Sequence, residues 1–273
     1  MSELETLLYD ERDSVAWVTL NRPDVHNAFN RKMTEELRDL WKGLRYNEDV
    51  RCIVLTGAGE KAFCVGIDRN EALEGGEPHP QSDSEIGFIT PWIYNDSSDL
   101  ICPKKLGLWK PIVAAVNGMA CGGAFYMLGE CDIIVAAEHA TFFDPHVTYN
   151  MAAVYEPIYL LKKMPFHELL RMTLLGNDER MTAERAHQIG FVTEVVAGDK
   201  LAESAGWVAS SIAAKSPLAI GVSLRAMWAG LELSRDQALS VADVMVRVGD
   251  DTQQMMAGQA AFGNAPRPKP RLR

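Results

Sequence analysis

At 273 residues and 30.2 kDa the chain has room for one large domain or two small ones, and a chain of this size buries roughly three quarters of its unfolded surface. Its 47% hydrophobic and 23% charged residues place it in the ordinary globular range and exclude gross disorder. The net charge of −10 argues against a nucleic-acid partner or an anionic membrane surface. Cys52, Cys64, Cys102, Cys121 and Cys131 fall mostly in apolar runs without metal-ligand spacing, so reduced core cysteines, a cytoplasmic location and no metal are expected. The opening MSELETLLYDERD is acidic and lacks an apolar core, which argues against a signal or transit peptide.

In chain order, Leu4 to Asp10 and Val15 to Leu20 read as strands joined by a polar ERDS turn, with Trp17, Val18 and Leu20 facing a core. Asn21-Arg22-Pro23 ends the second strand. A loop to Asn30 then precedes a helix with Met33, Leu37, Leu40, Trp41 and Leu44 at helical spacing. Arg51 to Thr56 is a strand, and Lys61 to Glu71 runs strand, glycine and acidic turn, leaving a backbone N–H exposed at Ile67. A short helix over Asp68 to Leu73 leads into a mobile Gly/Pro-rich loop reaching about Glu85. Ile86 to Trp109, apolar but broken by Pro91 and Pro103, suits short helices over a pocket, core packing or a subunit contact.

Pro111 to Ala136 reads as strand, glycine turn, buried helix closed by Gly129, and strand. Paired glycines in such a run ordinarily serve helix packing. Here the first N–H groups of the helix lack intrahelical partners, so Gly123 can also offer an unhindered donor to an oxygen gaining negative charge. Two β-runs that each end at a glycine could aim the Ile67 and Gly123 N–H groups at one carbonyl oxygen. The uncharged stretch from Pro111 to Gly129 raises the membrane question, but its glycines, Asn117 and the flanking Glu130 and Asp132 fit buried strand and helix better.

Ala140 to Phe143 reads as a strand turning at Asp144-Pro145, which leaves His146 on the following loop. Glu156-Pro157 starts a helix, where a glutamate is ordinarily a surface residue. Phe166 to Leu175 is a helix ended by Gly176, and Thr182 caps another that Gly190 terminates. Helices follow over Asp199 to Lys215, from Pro217 to about Leu231, after a capping box at Ser234 and Gln237, and over Asp251 to Phe262. The methionines of the last helices suit packing rather than a cofactor, and the tail PRPKPRLR is read as extended and solvated. No sequence repeat is visible.

Four segments together resemble the crotonase, or enoyl-CoA hydratase/isomerase, superfamily: VAWVTLNRPDVHNAF from Val15, IVLTGAGEKAFCVGID from Ile53, KPIVAAVNGMACGGA from Lys110 and CDIIVAAEHATF from Cys131. MTAERAHQIGFVTEVV from Met181 is similar to the family's later helix, glycine cap and strand. The resemblance implies an α/β spiral of repeated strand-strand-helix turns over residues 1–198, a helical trimerisation region over 199–262 and a basic tail over 263–273. It further implies an acyl-CoA thioester as substrate, no cofactor beyond the coenzyme A carried by that substrate, and a homotrimer or homohexamer. Substrate contacts are assigned by resemblance to His26, Ala28, Gly66, Ile67, Asp68, Met119 and Gly123. The N–H groups of Ile67 and Gly123 would hold the thioester oxygen as it becomes an enolate.

The chain departs from the family where hydratases carry two glutamates. Aligned by the surrounding motif, those positions are Tyr126 and His146. Tyr126 lies nearly one helical turn past Gly123, on the same face, but a phenol of pKa near ~10 is a poor base and a better hydrogen-bond donor. His146, with an ordinary pKa of about 6.5, is the acid/base candidate, with Asp144 to orient its ring and Glu156 as a second carboxylate. Three functions are compatible with this set. One is an enoyl-CoA hydratase or isomerase with substituted proton-transfer groups. Another is a hydrolase, decarboxylase or carbon-carbon-cleaving enzyme using His146. The third is an acyl-CoA binding protein without catalysis.

Overall fold

The computed structural model describes residues 4–74, 92, 96–249, 251–264 and 269–272. The expected loop to Glu85, nearly all of Ile86 to Asn95 and half of the basic tail lie outside them.

The first two strands, β1 (Leu7–Arg12) and β2 (Val15–Leu20), form an antiparallel hairpin closed by Asp13 and Ser14 alone. Both turn residues have positive φ, 52° and 60°, the two-residue geometry whose twist matches the flanking strands. A two-residue turn lets β1 run through Glu11 and Arg12, which the sequence assigned to the turn. At the other end, the N–H groups of Glu5 and Thr6 are taken by the Glu36 carboxylate, so the strand starts at Leu7 rather than Leu4.

Beyond the hairpin the chain alternates between two sheets. β3 (Cys52–Gly57), β5 (Ile112–Val116), β7 (Ile133–Ala137) and β10 (Glu194–Val196) extend β2 in parallel, giving the six-stranded order β1-β2-β3-β5-β7-β10. Each of β3, β5 and β7 leads by a short link into a second sheet of β4 (Ala62–Cys64), β6 (Met119–Cys121), β8 (Thr141–Phe143) and β9 (Met181–Thr182). This strand-to-strand spiral is a structural repeat carried by no repeated sequence.

Parallel strands covered on both faces need near-continuous apolar runs, and all five residues of β5 are buried. Alternate residues serve opposite faces. Leu20, Ile53, Leu55, Ile112 and Ala114 join one core cluster with α1 (Arg31–Leu44) and α4 (Ala124–Glu130). Val15, Cys52, Val54, Val113 and Val135 join another with Leu201, Ala205, Ala209 and Ala213 of α8 (Leu201–Ala213). Trp17 and Val18 therefore both face a core, but on opposite sides of the sheet. All five cysteines are free and buried.

Local signals hold where they were strongest. Asn30 accepts the Met33 N–H at 3.0 Å and caps α1, whose Trp41 donates its indole N–H to the Ile101 carbonyl of α3 (Ser98–Ile101) at 3.0 Å. The helices α2 (Arg69–Glu74), α5 (Tyr155–Leu160), α6 (Phe166–Leu175) and α7 (Ala183–Gln188) follow the remaining expected segments, with Thr182 capping α7. Gly129 behaves differently from expectation. It sits inside α4, where an added Cβ would lie 2.7 Å from the Tyr159 Cβ, so it permits close packing rather than ending the helix.

The chain divides into two compact units at Ala213/Ala214. Helix α8, grouped by sequence with the C-terminal helices, packs on the sheet of the first unit. The second unit holds α9 (Pro217–Glu232), α10 (Arg235–Gly249) and α11 (Thr252–Asn264). Ser216 caps α9, and Ser234 and Gln237 exchange side-chain to backbone hydrogen bonds at the start of α10. No single helix among the described residues is long and apolar enough to cross a membrane, and the run from Pro111 to Gly129 is divided among β5, β6 and α4.

Candidate active site

Two glycine turns meet at the ends of β4 and β6. Gly66 has φ +86° and Gly122 has φ +54°, conformations that side chains resist. An added Cβ on Gly66 would lie 2.8 Å from the Gly123 nitrogen, so the two backbones are in direct contact. Gly123 itself has helical φ, and there the requirement is space: its Cβ would fall 2.5 Å from the Phe29 ring.

Phe29 and Ile67 form an isolated parallel bridge, with the Phe29 N–H on the Gly66 carbonyl at 2.8 Å and the Asp68 N–H on the Phe29 carbonyl at 2.9 Å. In that pattern the N–H of Ile67 points away from Phe29. Ile67 and Gly123 thus present backbone N–H groups at adjoining turns, the second beside the positive end of α4.

Across the same cavity, of about 410 Å³, stand the titratable side chains. The Nδ1–H of His146 donates to the Asp144 carboxylate at 2.5 Å, while its Nε2 lies 3.6 Å from Glu156 Oε1. The backbone N–H of His146 also donates to Asp144, at 3.1 Å, which fixes the turn through Pro145. Asp144 is 1% exposed and Glu156 4% exposed, so the helix-start glutamate is a buried group facing the cavity and not a surface residue. A Cβ on Gly122 would lie 3.8 Å from the His146 ring, which brings the imidazole beside the Gly122-Gly123 turn.

The environment shifts each proton in a definite direction. The hydrogen bond to Asp144 holds the His146 pKa above its ordinary value, with Glu156 adding to the effect against the opposing burial. Burial raises the Glu156 carboxyl and favours its protonated form. Burial, then the negative charge of Glu156, pushes Tyr126 far up, so its hydroxyl stays a donor, bonded to Glu156 and reaching Asp96 at 3.4 Å. Burial pushes the Cys121 thiol on the neighbouring strand up to about 12, which removes it as a nucleophile.

Residues 10–265 match the family described as enoyl-CoA hydratase/isomerase. The chain belongs to that family. Its relatives include the (E)-benzylidenesuccinyl-CoA hydratase of Thauera aromatica, 32% identical with 91% of this chain and 92% of that protein aligned. The 1,2-epoxyphenylacetyl-CoA isomerase of Escherichia coli is 29% identical, with 95% of each aligned. Among solved structures, an enoyl-CoA hydratase/isomerase from Mycobacterium paratuberculosis superposes with a TM-score of 0.86 at 32% identity, covering 99% of this chain and 100% of that one. The protein is an acyl-CoA-processing enzyme of the enoyl-CoA hydratase/isomerase type.

Of the residues singled out in the sequence, this enzyme brings Gly66, Ile67, Gly123, Tyr126, His146 and Glu156 to one cavity. His26, Ala28, Asp68 and Met119 lie outside its lining. Asp68 forms an ion pair with Arg22 at 2.8 Å and accepts the Asn70 N–H at 3.1 Å, while the Ala28 carbonyl accepts from Arg22 at 2.7 Å. His26, at φ 55°, has a buried Nδ1 without a hydrogen-bond partner among the described residues, and Met119 receives the Arg180 guanidinium on its sulfur at 3.1 Å.

The cavity also takes in Phe29, Arg69, Asp96, Tyr149 and Tyr155, none of which carried a signal of its own in the sequence. Asp96 and Ser97, from the stretch expected over a pocket, do line it, while Ile101 of the same stretch packs in the core. Asp144, His146 and Glu156 place ligand-type atoms within 4.8 Å of one another. Asp144 engages Nδ1, however, and only Nε2 and Glu156 face each other, a poor arrangement for a three-ligand cation site.

Proposed function

We propose that the enzyme adds water to an α,β-unsaturated acyl-CoA thioester, with Ile67 and Gly123 as oxyanion donors and His146 and Glu156 as the proton-transfer pair. The observation that carries this reading is the His146 imidazole held by Asp144 on one nitrogen and facing a buried carboxyl on the other, in the cavity of the two glycine turns. At 3.6 Å and in a low-dielectric wall, the pair favours one shared proton, as neutral imidazole with carboxylic acid or as imidazolium with carboxylate.

From the neutral state, His146 Nε2 takes a proton from water as its oxygen bonds to Cβ. The C=C electrons move through Cα to the thioester oxygen, where the two N–H groups receive the charge. Glu156 then protonates Cα as the enolate collapses, and the imidazolium returns its proton to the carboxylate. The elements of water are added and no other co-reactant is needed. Tyr126 positions Glu156 and closes the wall.

Isomerisation is the second reading, favoured by the same shared proton: one acid/base centre can remove a proton from one carbon and return it to another. The related proteins carry names of both kinds. Incubation with enoyl-CoA thioesters followed by mass spectrometry separates them. Gain of one water is expected; a rearranged product of unchanged mass selects isomerisation, and free coenzyme A or a shortened acid selects the hydrolase or cleavage reading. An unchanged panel overturns the assignment of catalysis to this site.

The groove for the rest of coenzyme A is assigned to the loop from His26 to Ala28, with the His26 Nδ1, buried without a partner among the described residues, as support, and Asp68 and Met119 are assigned to substrate binding. A homotrimer or homohexamer formed through residues 199–262 is supported by α9 and α10, which bury no residue and expose Met227, Leu239 and Val244. The five free cysteines favour a cytoplasmic location.

A further inference from the structure

Arg69 follows Ile67 by two residues and opens α2. Its guanidinium carbon lies 4.2 Å from the centre of the Tyr149 ring, and both side chains line the cavity that holds His146 and Glu156. Among the described residues Arg69 has no carboxylate within ion-pair distance. Other arginines do: Arg22 pairs with Asp68 at 2.8 Å and Arg171 with Glu179 at 2.6 Å.

The acidic groups on the same cavity are already engaged. Asp96 accepts from the Tyr126 hydroxyl at 3.4 Å and from the Ser98 N–H at 2.8 Å, and Glu156 is bonded to Tyr126 beside His146. Stacking on an aromatic face leaves the edge of a guanidinium unused, and that edge is a fork of donors matched to two oxygens of one carboxylate. Arg69 is solvent-exposed, so an acyl chain entering the cavity displaces water from it. A plain hydrocarbon would return nothing for that desolvation, whereas an anion would.

We propose that the acyl group accepted here carries a second carboxylate, remote from the thioester and held by Arg69 against Tyr149. The substrate class is then the mono-coenzyme A thioester of a dicarboxylic acid. The inference rests on the acyl-CoA reading above. Coenzyme A phosphates offer the same oxyanion chemistry, but the whole pantetheine arm separates them from the thioester. Arg69 shares its cavity with the reacting groups and stands two residues from an oxyanion donor.

Binding of saturated thioesters tests this without turnover. Succinyl-, glutaryl- and adipyl-CoA are titrated calorimetrically against monocarboxylic acyl-CoA thioesters of equal length, with the wild-type enzyme and Arg69→Gln. At least one dicarboxylic thioester is expected to bind about ten-fold or more tightly than its partner, and Arg69→Gln is expected to erase that preference while leaving the monocarboxylic affinity unchanged. Equal affinities within every wild-type pair overturn the proposal. So does a variant that weakens valeryl-CoA but not valeryl-pantetheine, which puts the guanidinium on the phosphates, or one that weakens every ligand equally. A retained dicarboxylate preference with no hydration of any enoyl thioester overturns the hydratase assignment and leaves this inference standing.

Discussion

The two walls of the cavity are built on different principles. One is backbone: Gly66, Ile67, Gly122 and Gly123 contribute N–H groups and close approach, and their side chains matter only by being absent or pointing elsewhere. The other is side chain: His146 and Glu156 are the proposed proton-transfer pair, Asp144 holds the imidazole and Tyr126 bonds to Glu156, and the ionisation of His146, Glu156 and Tyr126 is shifted by these partners and by burial. The backbone wall keeps the pattern of the enoyl-CoA hydratase/isomerase family, whereas the side-chain wall has a tyrosine and a histidine where hydratases of the family carry glutamates. On the function proposed above, one scaffold keeps the means of stabilising an enolate while exchanging the groups that create it.

Breaking the backbone wall is expected to have a large effect. Gly66→Ala sets a Cβ 2.8 Å from the Gly123 nitrogen at a φ of +86°, which forces the two turns apart. A fall in kcat of roughly 10²–10³-fold is expected, the scale of one lost oxyanion donor. Steady-state kinetics with circular dichroism checks it, and unchanged kcat would detach these N–H groups from the chemistry. On the opposite wall, His146→Ala should lower kcat on the order of 10²-fold with KM within a few-fold, because the imidazole moves a proton rather than holding the thioester. Turnover equal to wild type would remove His146 from the mechanism.

Asp144→Asn should have a smaller and more specific effect. The Asp144 carboxylate raises the His146 pKa by bonding to the imidazolium, so its neutralisation lowers that pKa. The acid limb of the pH–kcat/KM profile should therefore move to lower pH, with activity about ten-fold reduced from lost ring orientation. The same shift has a stability consequence. A raised folded pKa means that the pair stabilises the fold fully below the unfolded pKa of about 6.5 and loses this contribution as pH rises through the folded value. The difference in denaturation midpoint between wild type and Asp144→Asn should accordingly shrink toward alkaline pH; a difference constant with pH would contradict the assigned shift. The smallest effect is expected for Ile67→Ala, about two-fold in kcat, since the donor is main chain and the side chain is 42% exposed. A loss comparable to that of Gly66→Ala would show that the isoleucine side chain shapes the acyl cavity.

The backbone wall was legible in the sequence because its determinants are local. An apolar strand run followed by glycine specifies a turn wherever it occurs, and VNGMACGGA and FCVGID announce both turns directly. Helix caps at Thr182 and Ser234 were legible for the same reason, since each bond closes within a few residues. The side-chain wall was legible only as a set of residue types. Glu156 at a helix start has the sequence appearance of a solvated glutamate, and nothing near it predicts that Tyr126 and His146 close over it. Arg69 and Asp96 were passed over because a charged residue in a loop or first helical turn carries no distinguishing pattern. Gly129 misled for the opposite reason: a glycine near a helix end mimics a terminator, while its role is set by Tyr159, thirty residues away.

The sequence by itself determined most of the strand and helix segments, though not the short strands β6 and β9, together with the two glycine turns and the family to which the chain is similar, because hydrophobic period, capping and left-handed turn geometry act over a few residues. The tertiary structure decided that the Gly66 and Gly123 backbones touch, that Asp144 holds the His146 ring, that Glu156 is buried against both Tyr126 and His146, and that Arg69 stacks on Tyr149 inside the same cavity. His146 meets Asp144 and Glu156 from within the same stretch, whereas the Gly66–Gly123, Tyr126–Glu156 and Arg69–Tyr149 contacts join positions thirty or more residues apart in the chain. Their proximity follows from the parallel pairing of β4, β6 and β8, a register set by packing of the whole sheet and not by any one segment.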